Sequence, residues 1–238
     1  MKHILIIFFS LSFSYSFAQV KLLKSVSKKA NNLIHGEQGL TESQISEGII
    51  EALIQGSRKA VNKASLKDGF NNNSLIRIPF PEEAQNMKKV LVKTGFSKKV
   101  VQFEKSMNLA AEKASKEALN ILLDAIKSIT IHDAFSILKG DDNSATKYLK
   151  NNTSNLLYNK FNPIVKNAIK SVNVTNYWKE LVGIYNTIPL TKPVNPNLEE
   201  YVTNKAIDGL FVLISQEETN IRNHPEYRVS DLLRRVFK

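Results

Sequence analysis

A run of small and aliphatic side chains between residues 103 and 130 constrains the fold of this chain most. Its members follow one another at steps of three or four residues, so they fall on one face of an α-helix. They are Met107, Ala111, Ala114, Ala118, Leu122, Ala125 and Ile129. Because alanine predominates among them, other helices can approach this face closely. The pattern predicts a long central helix that is contacted from several sides.

Helix-start signals occur on both sides of this central helix. Thr41 opens a capping box in front of a second apolar stripe. We expect a short helix over residues 131–139, and Asp141 or Asp142 can cap the helix that follows it. Each of these signals is local, and together they predict a chain built from several helices.

The C-terminal half has three further signals of the same kind. Asn162-Pro163 predicts the N-cap and first turn of a new helix, because proline suits the first helical position. Asn197 opens a helix over residues 198–219, and a short final helix follows Ser230. The sequence therefore predicts helices up to its C-terminus.

Two stretches interrupt the helical pattern. Residues 69–81 are rich in asparagine and include a short stretch of residues with β propensity. Because no partner strand is evident, we expect this segment to form a short extended clasp. Residues 188–197 contain three prolines and predict a linker inside the domain. The predicted fold class is all-α: a single multi-helix bundle around a long central helix.

The N-terminus has the pattern of an export signal. Residues 1–18 combine a short charged start, an apolar run and a small-x-small cleavage site, which predicts a signal peptide cut before Gln19. Residues 19–39 read as a basic arm and residues 40–238 as the helical domain. No later apolar run is long enough for a transmembrane segment. We expect a periplasmic or secreted protein.

The chain is strongly basic, with a formal net charge of +11, and contains no cysteine. A basic balance favours anionic partners. Export makes nucleic acid the least favoured of these, so we expect an anionic envelope component or another envelope protein. The sequence is also rich in lysine and asparagine, as AT-biased coding would produce, and this gives the charge a second explanation.

The sequence has an S-x-x-K pattern at Ser144–Lys147 and a K-T-G triplet at Lys93–Gly95, but the triplet precedes the serine and ends a predicted helix, which is the wrong order and setting for a penicillin-recognising enzyme. The sequence has no H-E-x-x-H pattern, no P-loop, no dinucleotide fingerprint and no nucleophile elbow. We therefore predict no catalytic residues, no metal site and no cofactor.

One compositional feature points to a binding site near the C-terminus. Most basic residues are lysine, but arginines are concentrated between residues 217 and 238. Arginine holds carboxylate or phosphate with two hydrogen bonds from a rigid fork. The candidate binding residues are Arg222, Arg228, Glu218, Asp133, Asn108 and Glu112. The alternative is structural: Glu218 and Arg222 form an ordinary i,i+4 ion pair, and Arg228 bonds helix-end carbonyls.

Several segments resemble one bacterial family. They read LTESQISEGIIEAL, DGFNNNSLIRIPFP, MNLAAEKA, IHDAFSILKG, YVTNKAIDGLF and EETNIRNHPEYRVSDLLRRVF. In these segments the chain is similar to the family called domain of unknown function 4197, over about residues 40–238. The resemblance implies an exported, all-helical bacterial protein, and it implies no activity.

Two hypotheses of function follow. The first is a non-enzymatic envelope protein that binds a ligand or partner outside the cytoplasm. The second is an enzyme of unassigned chemistry that uses a polar pocket around Asp133, Glu112 and Glu218. Carboxylates with raised pKa values in a shared pocket would favour the enzyme. Acids engaged in ordinary structural bonds would favour the binding protein.

Overall fold

The computed structural model describes residues 39–128, 130 and 134–238. These residues contain eight α-helices and no β-strand, which confirms the predicted all-α class. The helices are α1 (Glu42–Ala64), α2 (Gln85–Lys93), α3 (Ser97–Ser128), α4 (Ala134–Lys139), α5 (Ser144–Ser171), α6 (Val174–Asn186), α7 (Leu198–Asn223) and α8 (Asp231–Val236). Short 3-10 helices lie at Glu82–Ala84 and Pro225–Tyr227.

The chain divides into two compact units, Met1–Glu42 and Ser43–Lys238. The predicted signal peptide and the predicted basic arm up to residue 38 lie outside the described residues. The second unit includes the proline-rich stretch at 188–197, where residues 191–197 have no regular secondary structure. All packing discussed below lies within this second unit.

Helix α3 is the long helix that the apolar spacing predicts. The predicted face from Met107 to Ala125 is buried, and its last member, Ile129, lies outside the described residues. Helix α3 contacts α5 most extensively, and it also contacts α2, α6 and α7. The small side chains on this face allow several helices to pack around one.

Helix α5 continues through the proline that the sequence suggests as a helix start. Pro163 lies inside the helix, so the predicted new start at Asn162-Pro163 is wrong. Proline lacks an N–H group and costs about 3 kcal/mol in a helix interior. Phe161 and Val165, on either side of it, are buried, and α5 packs along both α3 and α7. Packing of the continuous helix outweighs the local cost.

Three aromatic rings join separate parts of the core. Phe103 of α3 has its ring centroid 5.2 Å from that of Phe80 and 5.2 Å from that of Trp178. Phe80 and Trp178 are themselves 5.8 Å apart. Tilted and edge-on rings at these distances attract each other beyond the gain from burial. The cluster fixes the 69–81 segment and α6 against α3.

Helix α1 approaches its neighbours at two glycines. A methyl group added at Gly48 would lie 2.7 Å from Cγ2 of Val236, in α8. One added at Gly56 would lie 3.5 Å from the carbonyl oxygen of Ile214, in α7. Helix α1 therefore packs against the C-terminal part of the chain, and at Gly48 only a hydrogen atom fits, whereas a methyl group at Gly56 would make an ordinary van der Waals contact.

Two predicted helix starts near the C-terminus are confirmed. The Asn197 side chain accepts a hydrogen bond from the Glu200 N–H at 3.1 Å, and the Ser230 hydroxyl accepts one from the Leu233 N–H at 3.1 Å. Helix α7 extends to Asn223, further than predicted. Helix α4 occupies the predicted 131–139 region, although residues 131–133 are not among those described.

Candidate functional site

Among the buried polar side chains of helix α3, three lie four residues apart beside its apolar face: Glu104, Asn108 and Glu112. Asn108 is fully buried. Its Oδ1 accepts the Ile78 N–H at 2.8 Å, and its Nδ2 donates to the carbonyl oxygens of Ile78 and Glu104, both at 2.8 Å. Both backbone groups of Ile78 are thereby satisfied by one amide. Asn108 holds the 69–81 segment on α3.

Glu112 holds the preceding turn in the same way. Its Oε2 accepts the N–H of Asp68 at 3.2 Å, and its Oε1 accepts those of Phe70 at 3.3 Å and Asn71 at 3.5 Å. Burial raises the pKa of Glu112 above its ordinary 4.5, and the three N–H donors oppose that rise. Both carboxylate oxygens are therefore engaged by the chain itself.

Glu104 completes this row by pairing with two cations. Its Oε2 lies 2.8 Å from the Arg77 guanidinium, and its Oε1 lies 2.6 Å from Nζ of Lys88. The carboxylate is almost fully buried, whereas both cations are partly exposed. The row from Glu104 to Glu112 thus fastens a segment that contains little regular secondary structure.

Glu218 caps a helix that begins far away in sequence. Helix α5 has Asn143 at its N-cap, and that side chain makes no capping bond. Glu218 accepts the N–H groups of Ala145 at 3.0 Å and Thr146 at 2.7 Å, together with the Thr146 hydroxyl at 2.7 Å. A carboxylate is favourable at this end of a helix dipole. Glu218, and not Asp141 or Asp142, provides the cap.

Arg222 neutralises Glu218 and ties in two more parts of the chain. Its guanidinium donates to Glu218 at 2.9 Å and to the carbonyl oxygens of Leu138 at 2.8 Å and Ile137 at 2.9 Å. It also lies over the Phe237 ring, 5.4 Å from the centroid. Both charges of this pair are buried. The guanidinium of Arg222 therefore donates hydrogen bonds to the end of α4 and to Glu218 at the same time.

Arg228 binds the C-terminal end of α7. It donates to the carbonyl oxygens of Ile221 at 2.9 Å and Arg222 at 2.8 Å. These carbonyls lack partners within the helix, and a cation there also suits the helix dipole. The contacts of Arg228 and of the Glu218–Arg222 pair are those of the structural alternative stated above.

The candidate residues bind two different parts of the chain. Asn108 and Glu112 bond the segment from Asp68 to Ile78, whereas Glu218, Arg222 and Arg228 bond the ends of α4, α5 and α7. Asp133 lies outside the described residues. A ligand-binding role for these six residues stays a prediction, and each described member already has partners within the protein.

Comparison with known proteins places the chain in a family. Residues 39–238 match the family described as Protein of unknown function (DUF4197). The chain belongs to that family. No curated protein and no solved structure matches it. The resemblance inferred from the sequence segments is thereby confirmed, and both clusters of buried polar groups lie within residues 39–238, which match DUF4197.

Sequence reasoning missed several residues of these clusters, Glu104 and Thr146 among them. Glu104 lies four residues before Asn108 and eight before Glu112, so its helical spacing is a signal that could have found it. Thr146 gives no such signal, because its partner Glu218 is distant in sequence. In this DUF4197 protein, tertiary packing alone decides which residues distant in sequence bond to each other.

An open groove of about 470 Å³ borders the Glu218 cluster, between the start of α5 and the middle of α7. Its cations are paired: Lys147 lies 2.9 Å from Asp141, and Lys150 lies 2.7 Å from Asp208. Among the described residues no cluster of histidine and carboxylate side chains could hold a metal ion. In the same residues no helix has the length and apolar character needed to cross a membrane.

Proposed function

We propose that this protein is exported and acts outside the cytoplasm as a non-enzymatic binding protein for an anionic envelope component. One observation carries the proposal: the described candidate acids and arginines are engaged with the chain itself, whereas exposed lysines such as Lys98 and Lys105 form no ion pair among the described residues. Glu112 and Glu218 bind backbone N–H groups, and Arg222 binds carbonyl oxygens. Buried groups with such partners stabilise a scaffold.

The pKa of Glu112 is the one feature that favours the enzyme hypothesis. Burial raises it, as expected for a general acid or base. A proton-transfer group must also reach a substrate, and both oxygens of Glu112 already accept backbone N–H groups. Glu218 is engaged similarly. These contacts support a binding protein in preference to an enzyme.

Export is tested by the mass of the protein recovered outside the cytoplasm. Cleavage after Ala18 gives a mature chain that begins at Gln19. Intact residues 1–18 in the exported fraction, or a protein found only in the cytoplasm, would contradict the proposal.

Anion binding is tested by the retention of the exported protein on isolated envelope material. We expect retention at low ionic strength and release at about 1 M salt, where the screening length falls to about 3 Å. No retention at low salt, or retention that salt does not change, would refute anion binding. Arg222→Lys and Arg228→Lys are the comparison variants. If these variants remain folded and lose retention, the anion-binding site includes the C-terminal arginines.

A further inference from the structure

Helix α3 exposes one face along most of its length. Residues at steps of three or four form a continuous exposed stripe opposite the buried face. We call this stripe the α3 lysine face: Lys98, Val101, Lys105, Leu109, Lys113 and Lys116. At 1.5 Å per residue it is roughly 27 Å long. It is therefore a linear surface that alternates cations and aliphatic side chains.

The cations of the α3 lysine face have no acidic partners among the described residues. Lys98, Lys105 and Lys116 form no ion pair there, and Lys113 only donates to the Ser171 hydroxyl at 3.4 Å. Other lysines nearby in the sequence are paired: Lys99 of α3 with Glu180, and Lys88 of α2 with Glu104. Glu117 is exposed one turn after Lys113, about 40° from it around the helix, and it offsets part of this charge. The face therefore presents a net positive charge.

The aliphatic members of the face are exposed between these lysines. Val101 is 58% exposed and Leu109 is 39% exposed. A phosphate ion offers such side chains nothing apolar to contact, and a polysaccharide offers no acyl chains. The interface of a lipid bilayer offers both anionic headgroups and acyl chains, and lysine stems can lie along it while their ammonium groups reach the phosphates.

We infer that the α3 lysine face docks on the surface of an anionic phospholipid bilayer. This inference rests on the proposed function and names its partner. Each lysine near an anionic bilayer strengthens binding by about fivefold, so four lysines contribute on the order of several hundredfold. Binding of this kind is reversible and weakens steeply with added salt. Contact by Val101 and Leu109 adds a component that salt does not screen.

The test compares two triple variants of the exported protein in co-sedimentation with vesicles. The vesicles contain equal parts phosphatidylglycerol and phosphatidylcholine, or phosphatidylcholine alone. One variant, Lys105→Gln with Lys113→Gln and Lys116→Gln, removes charge from the α3 lysine face. The control, Lys63→Gln with Lys160→Gln and Lys192→Gln, removes the same charge from exposed lysines on other elements that form no ion pair among the described residues. Circular dichroism and melting temperature establish that both variants are folded.

We expect the face variant to bind anionic vesicles about 100-fold more weakly than the wild-type protein, and the control variant to lose far less. Val101→Ser with Leu109→Ser should weaken the binding that remains at high salt. Equal losses in both triple variants would overturn the assignment to α3, and so would equal binding to neutral vesicles. Retention on envelope polysaccharide without vesicle binding would overturn the lipid inference and leave the proposed function standing. No anion binding of any kind would overturn both.

Discussion

At the scale of single residues, Glu112 shows how a buried carboxylate can serve as a structural anchor. It accepts hydrogen bonds from three backbone N–H groups of the turn at residues 68–71, and the negative charge of Asp68 lies nearby. Those donors lower the cost of its charge without removing it, because burial still raises the pKa. The residue thus stabilises the turn through hydrogen bonds and opposes folding through its buried charge.

This balance predicts how stability depends on pH. Between the ordinary pKa of 4.5 and the raised value, the folded protein binds more protons at Glu112 than the unfolded chain does. The free energy of unfolding should therefore fall as pH rises through that window. Glu112→Ala should remove this component and, by leaving N–H groups unpaired, should destabilise the protein by about 1–3 kcal/mol.

Urea titrations at a series of pH values measure both effects. Glu117→Ala, an exposed position on the same helix, is the matched control and should change stability by less than about 0.5 kcal/mol. An unchanged pH profile in Glu112→Ala would show that Glu112 does not carry the shift.

At the scale of helices, close contact at glycine decides how α1 meets α8. A side chain at Gly48 would collide with Val236, because an added methyl group lies 2.7 Å from its Cγ2. Gly183 in α6 has nothing within 4 Å of the same added methyl group. The two glycines share a helical environment and differ only in what lies beside them.

Gly48→Ala and Gly183→Ala should therefore have opposite effects on stability. Alanine favours a helix over glycine by about 0.5–1 kcal/mol, so Gly183→Ala should stabilise the protein. At Gly48 the collision should cost about 1–3 kcal/mol and reverse the sign. Chemical denaturation of the Gly48→Ala, Val236→Ala and double variants gives the coupling between the two positions. If Gly48→Ala were destabilising by the same amount in both backgrounds, Val236 would not be the group in conflict.

At the scale of the whole molecule, the Glu218–Arg222 pair connects parts of the chain that are far apart in sequence. Glu218 caps α5, and Arg222 bonds the last carbonyls of α4 and contacts Phe237 near the C-terminus. Because both charges are buried, removal of the Arg222 donors leaves the Glu218 charge and two carbonyl oxygens poorly satisfied.

Arg222→Lys should destabilise the protein by about 2–4 kcal/mol although the charge is kept, because one ammonium cannot replace three directed donors. Arg234→Lys is the control, since Arg234 is 57% exposed and its pair with Asp231 should contribute less than about 1 kcal/mol. Thermal and urea unfolding measure both variants. A loss of stability in Arg222→Lys no larger than in Arg234→Lys would contradict the structural role.

The sequence by itself determined the helical class, the register of α3 and the helix starts at Asn197 and Ser230. These features depend on contacts within one or two turns, so periodicity and capping residues encode them locally. The same local rules were wrong at Pro163, where helix packing outweighs the cost of an interior proline.

Tertiary structure alone decided which partners the polar residues have. The sequence analysis named Asn108, Glu112, Glu218 and Arg222 as candidate binding residues, but their hydrogen bonds within the protein go to Ile78, Phe70, Thr146 and Leu138. Backbone N–H and C=O groups look alike in any sequence, so no local pattern marks the one that a distant side chain will reach. The packing of α3 on α5 and of α5 on α7 brings such groups together, because a buried polar atom must then find a partner among its new neighbours.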